Sequence, residues 1–166
     1  MLDQKNNIIL IIIFFIILLS IISALIIEHA LGHQPCNLCL YERVPYFLSA
    51  LLIVKIFFFK KYEKITLLIL FLVFISSSLL AFYHFGIEQG FFSESLVCNA
   101  ENQSKTLSKE QLLQELNQNV VSCKDVTFRI LGLSLAAINT ILSIVLSIIF
   151  LKLFFNYGSS STSQYK

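Results

Sequence analysis

The sequence predicts an all-α membrane protein, a four-transmembrane-helix bundle with two external cysteine-bearing loops. Three observations carry this. Of 166 residues, 57% are hydrophobic and 13% charged, against about 45–50% and about 25% in soluble domains. The apolar residues gather in runs the length of a bilayer's hydrocarbon core. All four cysteines stand between the runs and none within them. The composition excludes a disordered chain, which would be polar and charge-rich. A net charge of +2 with no basic cluster excludes a nucleic-acid partner. The chain is expected to form one membrane domain, 1–166.

The first run, residues 8–27, is interrupted only by Ser20 and Ser23. A helix of that length covers roughly 30 Å, the hydrocarbon thickness. A signal peptide has about 7–15 apolar residues followed by small residues at a cleavage site. Here Glu28 and His29 follow, so the run is expected to remain as a span. Residues 44–59 form a shorter second span. Pro45 then falls in its first turn, where a missing N–H costs nothing. Lys55 lies near its far end, where it reaches the headgroups. Residues 65–85 and 130–150 are the third and fourth spans.

Basic residues set the direction. Lys60, Lys61 and Lys64 fill the link between spans two and three, Lys5 precedes the first span, and Lys152 and Lys166 close the chain. The loops 28–43 and 86–129 carry only Arg43, Lys124 and Arg129 near a span, and the second also holds Glu88, Glu94, Glu101, Glu110, Glu115 and Asp125. Both termini and the lysine link are therefore expected in the cytoplasm, and both cysteine loops outside. Tyr41, Tyr46, Tyr62, Tyr83 and Tyr157 fall near span ends, as an interfacial belt does. In the long loop, Ser108 and Gln111 fit a capping box, and Leu112, Leu113, Leu116 and Val120 share a face. This predicts an amphipathic helix over 108–121, lying on the membrane or on the span ends. The Ser-rich tail 158–166 is expected to be disordered.

Cys36 and Cys39 form Cys-Asn-Leu-Cys in the first loop, while Cys98 and Cys123 stand apart in the second. Two spans separate the loops, so both pairs lie on one side of the membrane, close to its surface. Three chemistries are open to them. Disulfides are the default for external cysteines, but a C-x-x-C ring is too short to remove much unfolded-state entropy. Four thiolates can hold zinc, usually from two C-x-x-C pairs; the second pair here is not one, and no metal is expected. A redox relay suits C-x-x-C, whose thiol pKa is readily depressed. A c-type haem is excluded in its usual form, because Leu40 and not His follows Cys39. No G-x-G-x-x-G signature is present. With a helix starting near Cys39, Arg43 stands one turn on. Its guanidinium and the helix N-terminus would both stabilise the Cys39 thiolate, so Cys39 is expected to be the more acidic thiol. Arg43 equally suits an interfacial anchor or a partner for Glu42.

The run Pro35-Cys36-Asn37-Leu38-Cys39-Leu40-Tyr41-Glu42-Arg43 resembles the signature of the DsbB family of disulfide-bond formation proteins. Tyr83-His84-Phe85-Gly86-Ile87-Glu88 and Phe128-Arg129-Ile130-Leu131-Gly132-Leu133-Ser134 are similar to further stretches of it. The resemblance extends over essentially the whole chain. Tyr-Glu-Arg after Cys39 separates it from vitamin K epoxide reductase-like proteins, which share topology and chemistry. It implies a four-span protein of the bacterial inner membrane with periplasmic cysteine loops. Such a protein reoxidises a soluble periplasmic dithiol oxidase of the DsbA type and passes the electrons to a membrane quinone, ubiquinone or menaquinone. On that resemblance Cys98 takes the partner's thiolate, and Cys123 is its mate and can then pair with Cys36. Cys39 is the thiolate beside the quinone, Arg43 binds the quinone carbonyl, and His84 and Glu42 are further candidates for the quinone site. His29 and His33 are expected to be ordinary loop residues. A dithiol oxidase near about −120 mV needs an acceptor of still higher potential, which a quinone in the bilayer supplies. The alternative is a non-enzymatic four-span scaffold with structural disulfides or a zinc site in its loops.

Overall fold

The structure, a computed structural model, describes residues 4–59, 62–93, 98, 122–124, 129–130 and 132–162. Among these, four helices follow along the chain: α1, Gln4–His29; α2, Asn37–Phe58; α3, Glu63–Glu88; and α4, Leu135–Thr162. Ahead of α4 lies an antiparallel hairpin, β1 Arg129–Ile130 and β2 Leu133–Ser134, pairing Arg129 with Ser134 and Ile130 with Leu133. By length and composition α1, α3 and the Leu135–Tyr157 part of α4 can each cross a membrane. α2 is not among them; it carries Glu42, Arg43 and Lys55. The apolar runs are helical because a chain in hydrocarbon must satisfy its backbone polar groups within itself.

Each helix turns one stripe inward, at the three- and four-residue spacing of a helix face. Leu10, Ile13, Ile17 and Ile21 of α1 meet Ile53 and Ile56 of α2, Leu67, Leu70 and Phe74 of α3, and Leu146, Phe150 and Leu153 of α4 in one buried cluster. Phe74 stacks on Phe150 at 5.5 Å and meets Tyr46 edge-on at 5.7 Å between ring centroids. The outward stripes are apolar as well: Phe15, Leu19, Leu51, Phe58, Leu79 and Phe155 are 64–77% exposed. So continuous an apolar surface suits lipid and not water.

Several boundaries differ from the sequence expectation. α2 starts at Asn37, not 44, because Cys36 caps it. Pro45 is therefore inside the helix, where it leaves the Tyr41 carbonyl without its usual donor. Tyr46 is buried against Phe74 and does not belong to the interfacial belt. The fourth helix starts at Leu135 and not at 130. Gly132, at φ +84°, permits the tight turn of the hairpin, and the Ser134 hydroxyl accepts from Ala137 N–H at 3.2 Å, capping α4. The same helix runs to Thr162, so the tail read as disordered is helical for five residues past Tyr157. Adding residues to an existing helix is cheap compared with nucleating one. The amphipathic helix expected over 108–121 lies outside the described residues.

The long loop leaves α3 against the helix itself. Phe91 and Phe92 N–H both return to the Gly86 carbonyl, at 2.8 and 3.2 Å. The Phe92 ring stacks on Tyr83 at 5.5 Å and fills the space of a side chain at Gly86, where an added Cβ would lie 2.2 Å from it. Gly86→Ala is expected to unseat that ring and destabilise the protein by about 1–3 kcal/mol, the usual range for overpacking. Thermal unfolding in detergent reads this directly, and an unchanged midpoint would show that the ring is not held there.

Candidate active site

Cys36 precedes α2 with an extended backbone, φ −70° and ψ 166°, and its Sγ accepts from Cys39 N–H at 3.3 Å. The C-x-x-C spacing sets the second cysteine one helical turn above the first, and the two Sγ atoms are 2.8 Å apart. Both are free thiols, Cys36 buried and Cys39 half-buried. The hydrogen bond from Cys39, followed by the hydrogen bond and charge of His84, outweighs burial and lowers the Cys36 thiol to about 4. The expectation that Cys39 is the acidic thiol is thus corrected. The capping position, with its inward-pointing N–H donor, belongs to Cys36. The Arg43 guanidinium is paired with Glu28 at the end of α1. A lowered pKa favours the thiolate, so Cys36 alkylation should hold its rate as pH falls to about 5, well below the free-thiol range, and be lost only near 4. Mass spectrometry of the labelled peptide resolves the two cysteines. A midpoint near that of an ordinary thiol would contradict the capping geometry.

Behind Cys36 stands a buried hydrogen-bond chain joining three helices. His84 Nε2 is 3.5 Å from Cys36 Sγ, and His84 Nδ1 is 2.7 Å from Glu42 Oε1. A carboxylate only accepts, so the Nδ1 proton is assigned to that bond. Asn139 Nδ2 donates to Glu42 Oε2 at 2.6 Å, and the Tyr46 hydroxyl donates to Asn139 Oδ1. Both carboxylate oxygens and both ends of the amide are therefore engaged. Glu88 lies on the other side of His84, its Oε1 3.9 Å from Nε2. Its Oε2 is buried without a hydrogen-bond partner among the described residues.

Cys98 and Cys123 are joined by a disulfide with Cα atoms 5.4 Å apart. They are buried with Cys36, Leu38 and Ile87 in one cluster, against which Cys39, Leu80 and Tyr83 pack. All four cysteines thus meet at one end of the bundle. Beside them opens a cavity of about 340 Å³. Its polar end is formed by Cys36, Cys39, Glu42, Arg43, His84 and Glu88, and its apolar walls by α1 and α4 residues such as Leu19, Ile27, Ile138 and Leu142. His33 also lines it, whereas His29 bonds back to the Leu25 carbonyl of its own helix. The structure therefore brings every proposed site residue to this end of the bundle: the four cysteines in one cluster, and Cys36, Cys39, Glu42, Arg43, His84 and Cys123 on the cavity.

Sequence reasoning missed Asn139 and the buried carboxylate of Glu88. The signal for Asn139 was present: an amide within an apolar span is costly unless it serves a purpose. Glu88 had no such signal, because it looks like one more acid of the external loop.

Comparison with known proteins agrees with this arrangement. The family of disulfide bond formation protein DsbB matches residues 6–153. A Rickettsia prowazekii (strain Madrid E) protein named "Uncharacterized protein RP370" is 31% identical over 144 residues, covering 86% of this chain and 83% of the relative. No solved structure matches the chain significantly. The match runs from the first helix well into the last and takes in both cysteine pairs, so the chain belongs to the DsbB family of membrane proteins of disulfide-bond formation.

Proposed function

We propose that this protein reoxidises a soluble periplasmic dithiol oxidase of the DsbA type by thiol–disulfide exchange and delivers the electrons to a membrane quinone, ubiquinone or menaquinone. The observation that carries this is the single buried cluster of two cysteine pairs beside a cavity with one polar end and apolar walls. In this reading α2 also crosses the membrane and brings the spans to four, the protein sits in the bacterial inner membrane with cytoplasmic termini, and both cysteine loops are periplasmic.

The partner's thiolate attacks Cys98 Sγ, the Cys98–Cys123 bond breaks, and Cys123 leaves as a thiolate. The partner's second thiolate displaces Cys98, so the partner departs as a disulfide. Cys123 attacks Cys36 of an oxidised Cys36–Cys39 pair, and Cys39 leaves. Cys98 then displaces Cys36 from Cys123. The outer disulfide is restored and the inner pair holds two electrons, the pairing found here. Attack at Cys36 is what the family resemblance implies, and it is supported by Cys36 lying in one buried cluster with Cys98 and Cys123. His84, against Cys36 Sγ and oriented by Glu42, holds the proton exchanged there.

A quinone fits the cavity's chemistry: Cys39, Arg43 and His84 would hold its head, with Glu42 positioning His84, and the α1 and α4 walls its tail. When bound, it would accept the two electrons and two protons released as the Cys36–Cys39 dithiol closes. The test is to mix the purified protein with a reduced DsbA-type oxidase and a soluble quinone analogue. Oxidised partner and quinol should appear together, with a mixed disulfide trapped through Cys98. No turnover, with all four cysteines inert, would leave a stapled scaffold instead.

A further inference from the structure

We propose that the reduced site is also a binding site for a thiophilic metal ion of the Zn²⁺ class, held by Cys36, Cys39 and His84, with Glu88, whose Oε1 is 3.9 Å from His84 Nε2 but outside that close set, swinging in as fourth donor. Ligand atoms of the two cysteines and the histidine all lie within 4.8 Å of one another. Around a tetrahedral ion with bonds of about 2.0–2.3 Å, donor atoms stand about 3.3–3.8 Å apart. Cys36 Sγ and His84 Nε2 are already at 3.5 Å. The two sulfurs, at 2.8 Å, need only open by about an ångström, a small side-chain rotation.

Two further observations point to a ligand. The first is the support behind the histidine. His84 turns Nε2 to the sulfurs while Nδ1 bonds Glu42, and Glu42 is itself held by Asn139. A metal-binding histidine is typically fixed by such a carboxylate on its other nitrogen. The second is Glu88. Its side chain is only 6% exposed, it lines the same cavity, and one of its oxygens is buried without a hydrogen-bond partner among the described residues. A buried oxygen of that kind costs free energy, which coordination would recover.

Binding moves no electrons. A thiol, a thiolate, the His84 imidazolium and M²⁺ give a metal bis-thiolate bound by neutral imidazole, and the thiol proton and the Nε2 proton pass to solvent. A Cys36–Cys39 disulfide removes both sulfur donors, so metal binding and an oxidised inner pair exclude each other. The ion would hold the protein in its reduced form. The proposal does not depend on the partner or on the quinone, and its test uses neither.

The full chain carrying Cys98→Ala and Cys123→Ala, reduced and kept anaerobic in detergent, is titrated with Co²⁺ as a spectroscopic probe and then with Zn²⁺. One cobalt per chain should bind, with a near-ultraviolet thiolate-to-cobalt band and the visible bands of a tetrahedral ion, and zinc should displace it. His84→Gln and Glu88→Gln should each weaken binding by at least ~10-fold, the scale on which even supporting groups act. After oxidation to the Cys36–Cys39 disulfide the same chain should bind none. No uptake by the reduced chain, or equal uptake by the oxidised one, overturns the proposal. Unchanged affinity in Glu88→Gln overturns its fourth donor. If a variant fails to fold, the reduced-versus-oxidised comparison still decides.

Discussion

Replacing Cys98 or Cys123 with alanine is expected to abolish oxidation of a soluble dithiol partner, by at least ~100-fold, since groups that act as one unit fail together when one is removed. Exchange needs a disulfide that an incoming thiolate can open. Among the described cysteines Cys98–Cys123 is the bonded pair. The inner pair should keep its chemistry, because the contacts of Cys36 to Cys39 and His84 involve neither outer cysteine. The variants should therefore still bind a quinone analogue while the partner stays reduced. Losing the disulfide should also lower stability by about 2–4 kcal/mol, so activity is read below the variants' unfolding temperature. Partner oxidation at the parent rate would remove the outer pair from the relay.

The second large effect is expected at Glu42. Glu42→Ala leaves His84 Nδ1–H and Asn139 Nδ2 without their acceptor in the interior. Breaking a buried charged network in this way should cost about 3–5 kcal/mol. Glu42→Gln fills the same space and should cost less, but it cannot accept on both sides. Its amide group must face either the histidine or the asparagine, so the fixed orientation of His84 is lost and the imidazole facing Cys36 has no counter-charge behind it. The pH midpoint for Cys36 alkylation should consequently move up from about 4. A glutamine variant with parent stability and parent alkylation profile would show that the network positions nothing.

Most of the architecture was legible without coordinates, for a physical reason. Hydropathy along a run such as 8–27 is a local sum, and the bilayer demands that such a run be helical. The C-x-x-C pair was legible because three residues make nearly one helical turn. Boundaries were less so. Whether a helix starts at 37 or 44 depends on a cap, and the Cys36 side chain supplies it. The break at 130–134 depends on Gly132 adopting a conformation that hydropathy does not register.

By itself the sequence determined the class of protein, the approximate course of its helices, the two cysteine pairs and the family likeness that rests on residues 35–43. Only the tertiary structure decided which thiol of the inner pair caps α2 and faces His84, that Arg43 is matched by Glu28, and that Asn139 and Glu88 belong to the site. These outcomes rest on hydrogen bonds between residues far apart in the chain. His84 meets Glu42 across 42 positions and Asn139 meets it across 97. Charge and proton position follow from the few ångströms around a group, and those surroundings exist only once the helices have packed.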